Sequence, residues 1–456
     1  MNIFAKVTKN PDFFPYLCLT YNSLTVDMME QLLHYLWKYR LYRSSGLVTT
    51  RGDALEILDP GIENTDAGPD FFNAKIKLNG TVWAGSVEIH QKASDWWQHG
   101  HSADKAYDNV ILHVVEQDDG TIFRRNREEI PQLVLPVPET VISNMEWLLT
   151  RDSPIACLER LPAIDPVFRV QWTDALLAER LERKTDDILR WLEQYQKDWN
   201  EVFYILLCRN FGFGVNSDAF ERLARSLPFK CILKQRPSVS QVEALFLGQA
   251  GLLNDSNENR HHYYRLLQQE YVFLRKKYGL QPLEPHIFRN LRLRPNATPH
   301  IKLVQLAAIW IRHDTLFSSI LSARTPREVK DFFRVQASEF WDTHYNFVRS
   351  SPPRKKQLGE NALHILLINT VVPVMFAYGV YHRMDEHKAR ALRLLECIPP
   401  ERNAIVSLFS QVGMMPRHAG DTQALIQLKR NYCELKKCLY CRLGFQLLKR
   451  SSSEGL

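Results

Sequence analysis

The chain has 456 residues, more than one hydrophobic core usually serves, so two or three domains are expected. A composition of 45% hydrophobic and 24% charged residues excludes long disorder outside the last few positions, Ser451 to Leu456. The net charge of +7 permits a nucleic-acid partner without demanding one, and eight cysteines in so long a chain exclude a disulfide scaffold.

The first residues, MNIFAKVTKNPDFFPYL, lack a charged segment followed by a continuous apolar one, so no secretory signal is expected. Residues 26–42 read as an amphipathic helix. Asp27 is its candidate cap, and Leu32, Leu33, Leu36 and Tyr39 fall at helical spacing. A short strand at 54–58 is stopped by Asp59-Pro60-Gly61. FFNAKIKL (71–78) and TVWAGSVEIH (81–90) flank Asn79-Gly80, the two-residue turn that suits a tight hairpin. The segment 91–108 is polar and aromatic and reads as loop or helix. NVILHVVEQ (109–117) is apolar enough to be a buried strand, and Asp118-Asp119-Gly120 predicts a turn into a further hairpin around 121–135.

From about residue 165 the pattern becomes helical. The segments 172–195, 198–213, 238–253 and 258–279 show the period, as do stretches near 300–322, 326–345, 360–380 and 385–397. Ala362 to Gly379 approaches membrane-spanning length but carries His364, Asn369 and Pro373, so a buried core helix is expected. The expectation is a cytoplasmic α+β protein without a membrane partner. An N-terminal α/β domain (1–140) holds helix, three-stranded meander, connecting segment and strand. A linker (141–166) leads to a mostly α-helical domain (167–456) that ends in a cysteine cluster.

Chemistry concentrates between 68 and 101. Side chains alternate faces along a strand, so Glu88, His90 and Lys92 share one face if the strand extends that far. A turn at 79–80 pairs residue 70 roughly with 89, which sets Asp70 opposite Glu88 and His90. Two carboxylates on neighbouring strand ends can hold Mg²⁺ or Mn²⁺, leaving the remaining positions to water and phosphate. His99 and His101 follow as candidate bases or proton donors, beside Asp95, Trp96, Trp97 and Asp104. The bland alternative is a well-bonded sheet, in which Asp70 caps a turn, Glu88 pairs with a cation and His90 is a satisfied core histidine. A different metal-dependent hydrolase, built from His99, His101, His113 and Asp104, would need those imidazoles to converge.

Pro69-Asp70 and Glu88-x-His90, in this strand order, resemble the PD-(D/E)XK nuclease superfamily. Its core is helix, three-stranded meander, helix, strand. Its Asp begins the second strand and its Glu-x-Lys lies on the third. His90 stands where the lysine is usual, as in the mismatch-repair very-short-patch endonucleases, which use histidines at and after this strand. Lys92 is a second candidate for the lysine's work. Glu30 matches a Glu that many members add to the metal site. The resemblance implies metal ligands at Asp70, Glu88 and Glu30, with His90, Lys92, His99 and His101 as catalytic candidates. A resemblance across nearly the whole chain is to an uncharacterised bacterial family, domain of unknown function 2851. It is carried by ILDPGIENTDAGPDFFNAKI (57–76), GSVEIHQKASDWWQHGH (85–101), EALFLGQAGLL (243–253), NTVVPVMFAYG (369–379) and YCELKKCLYCRLG (432–444). It implies kinship and no particular chemistry.

Cys433, Cys438 and Cys441 lie within nine residues. Such spacing favours a metal over disulfides, either zinc or an iron–sulfur cluster, with a fourth ligand from elsewhere. Cys397 is the first candidate and Cys157 the second. Some PD-(D/E)XK nucleases pin their C-terminus with a four-cysteine iron–sulfur cluster, and this spacing resembles that arrangement without matching its pattern. The basic, aromatic run 258–302 reads as a solvated face that can also follow a phosphate backbone, and SSPPRKKQ (350–357) as a basic surface loop. The sequence thus predicts a divergent metal-dependent nuclease or phosphodiesterase. The alternative is a catalytically silent nucleic-acid-binding or scaffolding protein of the same fold.

Overall fold

The computed structural model describes residues 21–42, 44–64, 66–254, 261–290, 295–348 and 350–449. The N-terminal run to Thr20, the tail Ser451 to Leu456, the side chain of Asp27 and parts of the basic run (258–260, 291–294) lie outside the described residues. The chain divides into two units. One runs to Phe168 and takes back the chain from Asn431; the other is Arg169–Arg430.

In the first unit, α1 (Tyr21–Tyr39) is amphipathic and buries Leu32, Leu33 and Leu36. Tyr39 is exposed, with its ring against Tyr35 and Phe445. The sheet has seven strands: β1 (Leu47–Val48), β2 (Ala54–Asp59), β3 (Ile62–Glu63), β4 (Phe71–Leu78), β5 (Thr81–Lys92), β6 (Val110–Gln117) and β7 (Gln132–Val134). The order is β1-β2-β4-β5-β6-β7, with β3 beside β4. Strands up to β5 pair antiparallel, whereas β5–β6 and β6–β7 are parallel. Burial of six consecutive residues in β6, Val110 to Val115, is what a strand with parallel neighbours on both sides requires. The β5–β6 crossover consists of α2 (Asp95–Gln98) and two short 3₁₀ turns.

Two segments gain detail here. The short hairpin around 121–135 is a single antiparallel bridge, with Phe123 opposite Glu129 and the Ile130 amide donating to the Ile122 carbonyl. Pro131 has no amide to continue that ladder, and the chain leaves it to form β7 parallel to β6. The segment expected as a linker holds α3 (Glu139–Thr150), whose Val141, Met145 and Leu148 are buried at helical spacing. α3 packs on the last helix, Arg442–Leu448, so the chain's end completes the sheet unit.

The second unit is helical. α4 (Pro166–Gln194) buries Trp172, Leu176, Leu181, Ile188 and Leu192 along one face. α5 (Trp199–Phe211) is capped by Asp198, which accepts from the Asn200 and Glu201 amides. α6 (Val239–Gln249) is buried from Val242 to Gln249 and packs on α7 (His262–Tyr278). The apolar helix Glu360–Tyr381 is 67% buried, in keeping with a core helix. Lys356, expected on a surface loop, is fully buried; its ammonium donates to the Asp342 and Arg354 carbonyls and lies over the Tyr345 ring. Backbone carbonyls and a ring face stand in for water there.

A Cβ on Gly248 would come within 2.1 Å of the Tyr271 ring, whereas one on Gly359 would meet nothing. Gly248→Ala should therefore cost about 1–3 kcal/mol, the usual penalty of overpacking, and Gly359→Ala almost nothing. Paired denaturant titrations check this, and equal midpoints would contradict the close α6–α7 approach.

Candidate active site

β4 carries one more residue than β5 between Phe71 and Ala74, where Asn73 takes a φ of +59°. This β-bulge shifts the register by one, so Phe71 pairs with Val87 and Asp70 faces Glu88 rather than residue 89. The two carboxylates are held by each other's backbone. The Ile89 amide donates to Asp70 Oδ2 at 2.8 Å, and the Asp70 amide donates to Glu88 Oε2 at 3.1 Å. Asx at a left-handed position is what allows the bulge without glycine.

α1 packs against β5 and brings two side chains one turn apart, Glu30 and His34. His34 Nε2 lies 3.4 Å from Asp70 Oδ2, and His101 Nε2 lies 3.2 Å from Glu88 Oε1. Both nitrogens are buried and have no hydrogen-bond partner among the described residues. Glu30 adds negative charge that acts on Asp70, Glu88 and His101. Burial raises the Asp70 carboxyl well above its ordinary range, and the charge of Glu88 raises it further. Burial likewise raises Glu88, with the Asp70 amide working in the opposite direction. Burial holds His34, His90, His101 and His113 in the neutral form, His113 down to about 4.

A chain of hydrogen bonds fixes the buried imidazoles. Gln132 Nε2 donates to the Gly120 carbonyl, which leaves its Oε1 to accept from His113 Nδ1 at 3.1 Å. Neutral His113 then accepts at Nε2 from His90 Nδ1 (2.8 Å), and His90 accepts at Nε2 from His99 Nδ1 (3.1 Å). His90 Nε2 is thus a lone pair 3.5 Å from Glu88 Oε1. A neutral His90 with its proton turned away from Glu88 cannot supply the positive charge of a lysine.

Lys92 ends β5 in solvent, where its charge acts on Asp119. Asp104 accepts from the Ala106 amide and caps a 3₁₀ turn. His99 is exposed, and ligand atoms of His90, His99 and His101 lie within 4.8 Å of one another. Asp70, Glu88, His90, His101 and, by its field, Glu30 are therefore brought together. The residue that sequence reasoning missed is His34. The signal was present in the spacing Glu30-x3-His34, which sets both side chains on one face of α1. A cavity of about 180 Å³ opens beside Glu30, His34, Lys38 and Glu63.

A family model described as "Protein of unknown function (DUF2851)" matches residues 30–404. The chain belongs to that family. No curated protein and no solved structure matches the chain. The DUF2851 match begins at Glu30 and takes in the carboxylates, the histidines, Cys157 and Cys397, while Cys433, Cys438 and Cys441 lie beyond its end.

The three C-terminal cysteines sit in the first unit. The Cys441 amide donates to the Cys438 carbonyl and the Lys436 amide to that of Cys433, so the thiols are carried on two consecutive tight turns. Lys436 Nζ donates to the Arg151 carbonyl at 2.8 Å, tying this loop to the segment that precedes Cys157. Burial raises the Cys157 thiol, and Cys441, Cys433 and Cys438 are its next strongest influences. Cys397 caps the helix Asp385–Glu396 in the other unit and is exposed. Tyr35 and Tyr39 of α1 pack on Phe445, so the cysteine loop is continuous with the helix that holds Glu30 and His34.

Without a bound cation the folded protein holds protons on Asp70 and Glu88 that the unfolded chain has lost. The stability this pair contributes is complete below the ordinary carboxylate range and is lost as pH rises through the raised values. Histidines titrate in the opposite sense, their contribution being lost as pH falls below about 6.5, so a single substitution separates the two. In chelator, Glu88→Gln should melt higher than the wild type at pH 8–9, and the gap should close by about pH 5. It should amount to about 1.4 kcal/mol per unit of pKa shift. A gap that does not change with pH would show that burial does not raise the Glu88 carboxyl.

Proposed function

We propose that the sheet unit is a divalent-metal-dependent phosphodiesterase site acting on nucleic acid. The observation that carries this reading is the pair of buried carboxylates on facing residues, Asp70 and Glu88, each met by a buried imidazole nitrogen with no hydrogen-bond partner among the described residues. Buried polar atoms left without a hydrogen bond are costly, and a cation among these oxygens and nitrogens would give them a partner. Hard carboxylate oxygens suit Mg²⁺ or Mn²⁺, with Asp70, Glu88 and Glu30 as the holding residues. When bound, such an ion supplies neutralisation of phosphoryl charge and a more acidic water.

The chain's own groups do the rest. The backbone amides of Asp70 and Ile89 fix the carboxylate orientation. His101, kept neutral by burial and with Nε2 next to Glu88, would take a proton from the attacking water. Stacking on Tyr107 (3.9 Å between centroids) and the edge contact of Trp96 hold the His101 ring in place. The hydrogen-bonded set Gln132–His113–His90–His99 links this pocket to the surface at His99.

The alternative, a silent fold that binds nucleic acid without turnover, is favoured by one specific feature: no cation stands at the usual lysine position, because His90 is neutral and Lys92 is solvated. Metal-dependent cleavage of single-stranded, double-stranded and mismatched DNA and RNA separates the two. Asp70→Ala and Glu88→Ala should each lower the rate by at least about 10²-fold, as loss of a metal ligand does, and His34→Ala by roughly 10-fold. Activity that survives both carboxylate substitutions would remove the enzymatic reading. Salt-sensitive binding without cleavage would leave the silent fold.

The same reading gives the chain's end a structural metal, zinc or an iron–sulfur cluster, held by Cys433, Cys438, Cys441 and Cys157. A metal held there would pin the C-terminal helix to α1 and α3. Anaerobically purified protein should carry metal by elemental analysis, with visible absorbance distinguishing the cluster from zinc. Cys157→Ser should lose most of it and Cys397→Ser none. Equal metal content in both variants would rule out Cys157 as the fourth ligand.

A further inference from the structure

The helical unit contains a cavity of about 540 Å³ whose wall is crowded with cations from α4, Arg180, Arg183, Lys184 and Arg190, together with Arg209 of α5 and Arg430. Asp187 is the one carboxylate in the lining, and it is taken by Arg190. Arg209 is held by Glu221. The other four cations turn instead to neutral amides where partners are seen. Arg180 Nε donates to Gln423 Oε1 at 2.7 Å, Arg183 Nη2 to Gln427 Oε1 at 3.2 Å, and Lys184 Nζ to Asn369 Oδ1 at 3.3 Å. Carboxylates stand one step behind: Glu401 accepts from Gln423, and Glu179 from Gln427. The amides are thereby oriented with their oxygens toward the cations, and the anionic charge is kept off the cavity surface.

The backbone is adapted to the same place. Helix Glu360–Tyr381 loosens into a π-turn at Leu367–Val371, where Asn369 sits. Pro373 has no amide to give the Asn369 carbonyl, and Asn210 Nδ2 donates to it instead at 3.0 Å. This departure from the helix holds the Asn369 side chain at Lys184. Arg180 is buried within the apolar face of α4, among Leu176 and Leu181, a costly position for a cation whose side-chain partner is the neutral Gln423. Burial, and then its cationic neighbours, push Arg180 down to about 10, and burial with Arg180 pushes Lys184 down to about 7. These charges repel one another in the absence of an anion. Trp191, Leu206 and Pro373 give the cavity an apolar side as well.

We propose that this cavity binds a phosphate-bearing small ligand of nucleotide size, with Arg183, Lys184 and Arg430 on its phosphates, Arg180 supporting them from below, and Trp191 with Leu206 against its base or other apolar part. Guanidinium groups suit phosphate oxygens in bidentate geometry, and the volume suits a mononucleotide. The proposal does not depend on the carboxylate site. Its test is calorimetric titration and thermal melting of the full chain with inorganic pyrophosphate, ADP, ATP and adenosine at constant ionic strength. ADP and ATP should bind and raise the melting temperature, pyrophosphate should bind more weakly, and adenosine should not bind. Arg183→Gln and Arg430→Gln alter exposed side chains and leave the core intact. Each should weaken ADP at least about tenfold, a loss of one charged contact, with unchanged circular dichroism. Absence of any shift, wild-type affinity in both variants, or adenosine binding as tightly as ADP would overturn the proposal.

Discussion

Two carboxylates on facing residues of one sheet, withdrawn from water, set the constraint on which the first unit depends. An isolated buried carboxylate is expensive, and two that see one another are more so. The protein answers in three ways. Each carboxylate accepts a backbone amide from the partner strand, which orders it without neutralising it. The surrounding imidazoles are kept neutral by burial and oriented by a hydrogen-bond chain that ends on Gln132. The remaining imbalance is left to a proton or a metal ion. A sheet built only for stability would place an arginine or lysine beside Glu88, as the bland reading of the sequence expected. Among the described residues, the partners of Glu88 at ion-pair distance are His90 and His101.

Much of this was legible in the sequence because strand pairing is strongly specified by a two-residue turn. Asn79-Gly80 fixes the hairpin and leaves Asp70 opposite the Glu88–His90 pair. The bulge at Asn73 was not legible, since asparagine at a left-handed position has no signature in a strand pattern of one sequence. Its effect is one residue of register, which decides whether Asp70 meets Glu88 or its neighbour. His34 was missed for a different reason. Sequence reasoning assigned α1 its apolar face and one acidic residue, and gave no role to the imidazole between Leu33 and Tyr35. Only the packing of α1 on β5 aims it at Asp70.

The chain's end is the clearest case of long-range information. Composition placed the cysteines at the close of a helical region, because the 260 residues before them are helical by pattern. Their partners are α1, α3 and the loop around Arg151, all far back in sequence. Local periodicity cannot report such a return. It did report the thiol spacing, and the spacing alone left the fourth ligand open. Cys157 entered as the second candidate, in a segment expected to be a linker. The 3₁₀ turn Leu158–Ala163 and α3 show that segment to be ordered. Arg160 donates to Asn144 at 2.9 Å and lies over Trp147, so the cysteine is delivered by a fixed backbone rather than a loose one.

The two units solve the problem of concentrated charge by the same device with opposite sign. Around Asp70 and Glu88 the surrounding imidazoles are kept neutral by burial, so balancing the pair is left to a proton or a metal ion. Around Arg180 and Arg183 the nearest partners are amides whose oxygens are set by Glu401 and Glu179, so the positive potential survives in the cavity. Direct ion pairs would have stabilised either cluster at lower cost, and the protein uses them freely elsewhere, at Lys330 with Glu360 and at Arg225 with Glu221. Under the proposed readings, leaving such pairs out at two places keeps each site open to an ion of the opposite charge, and binding energy would offset the stability this costs.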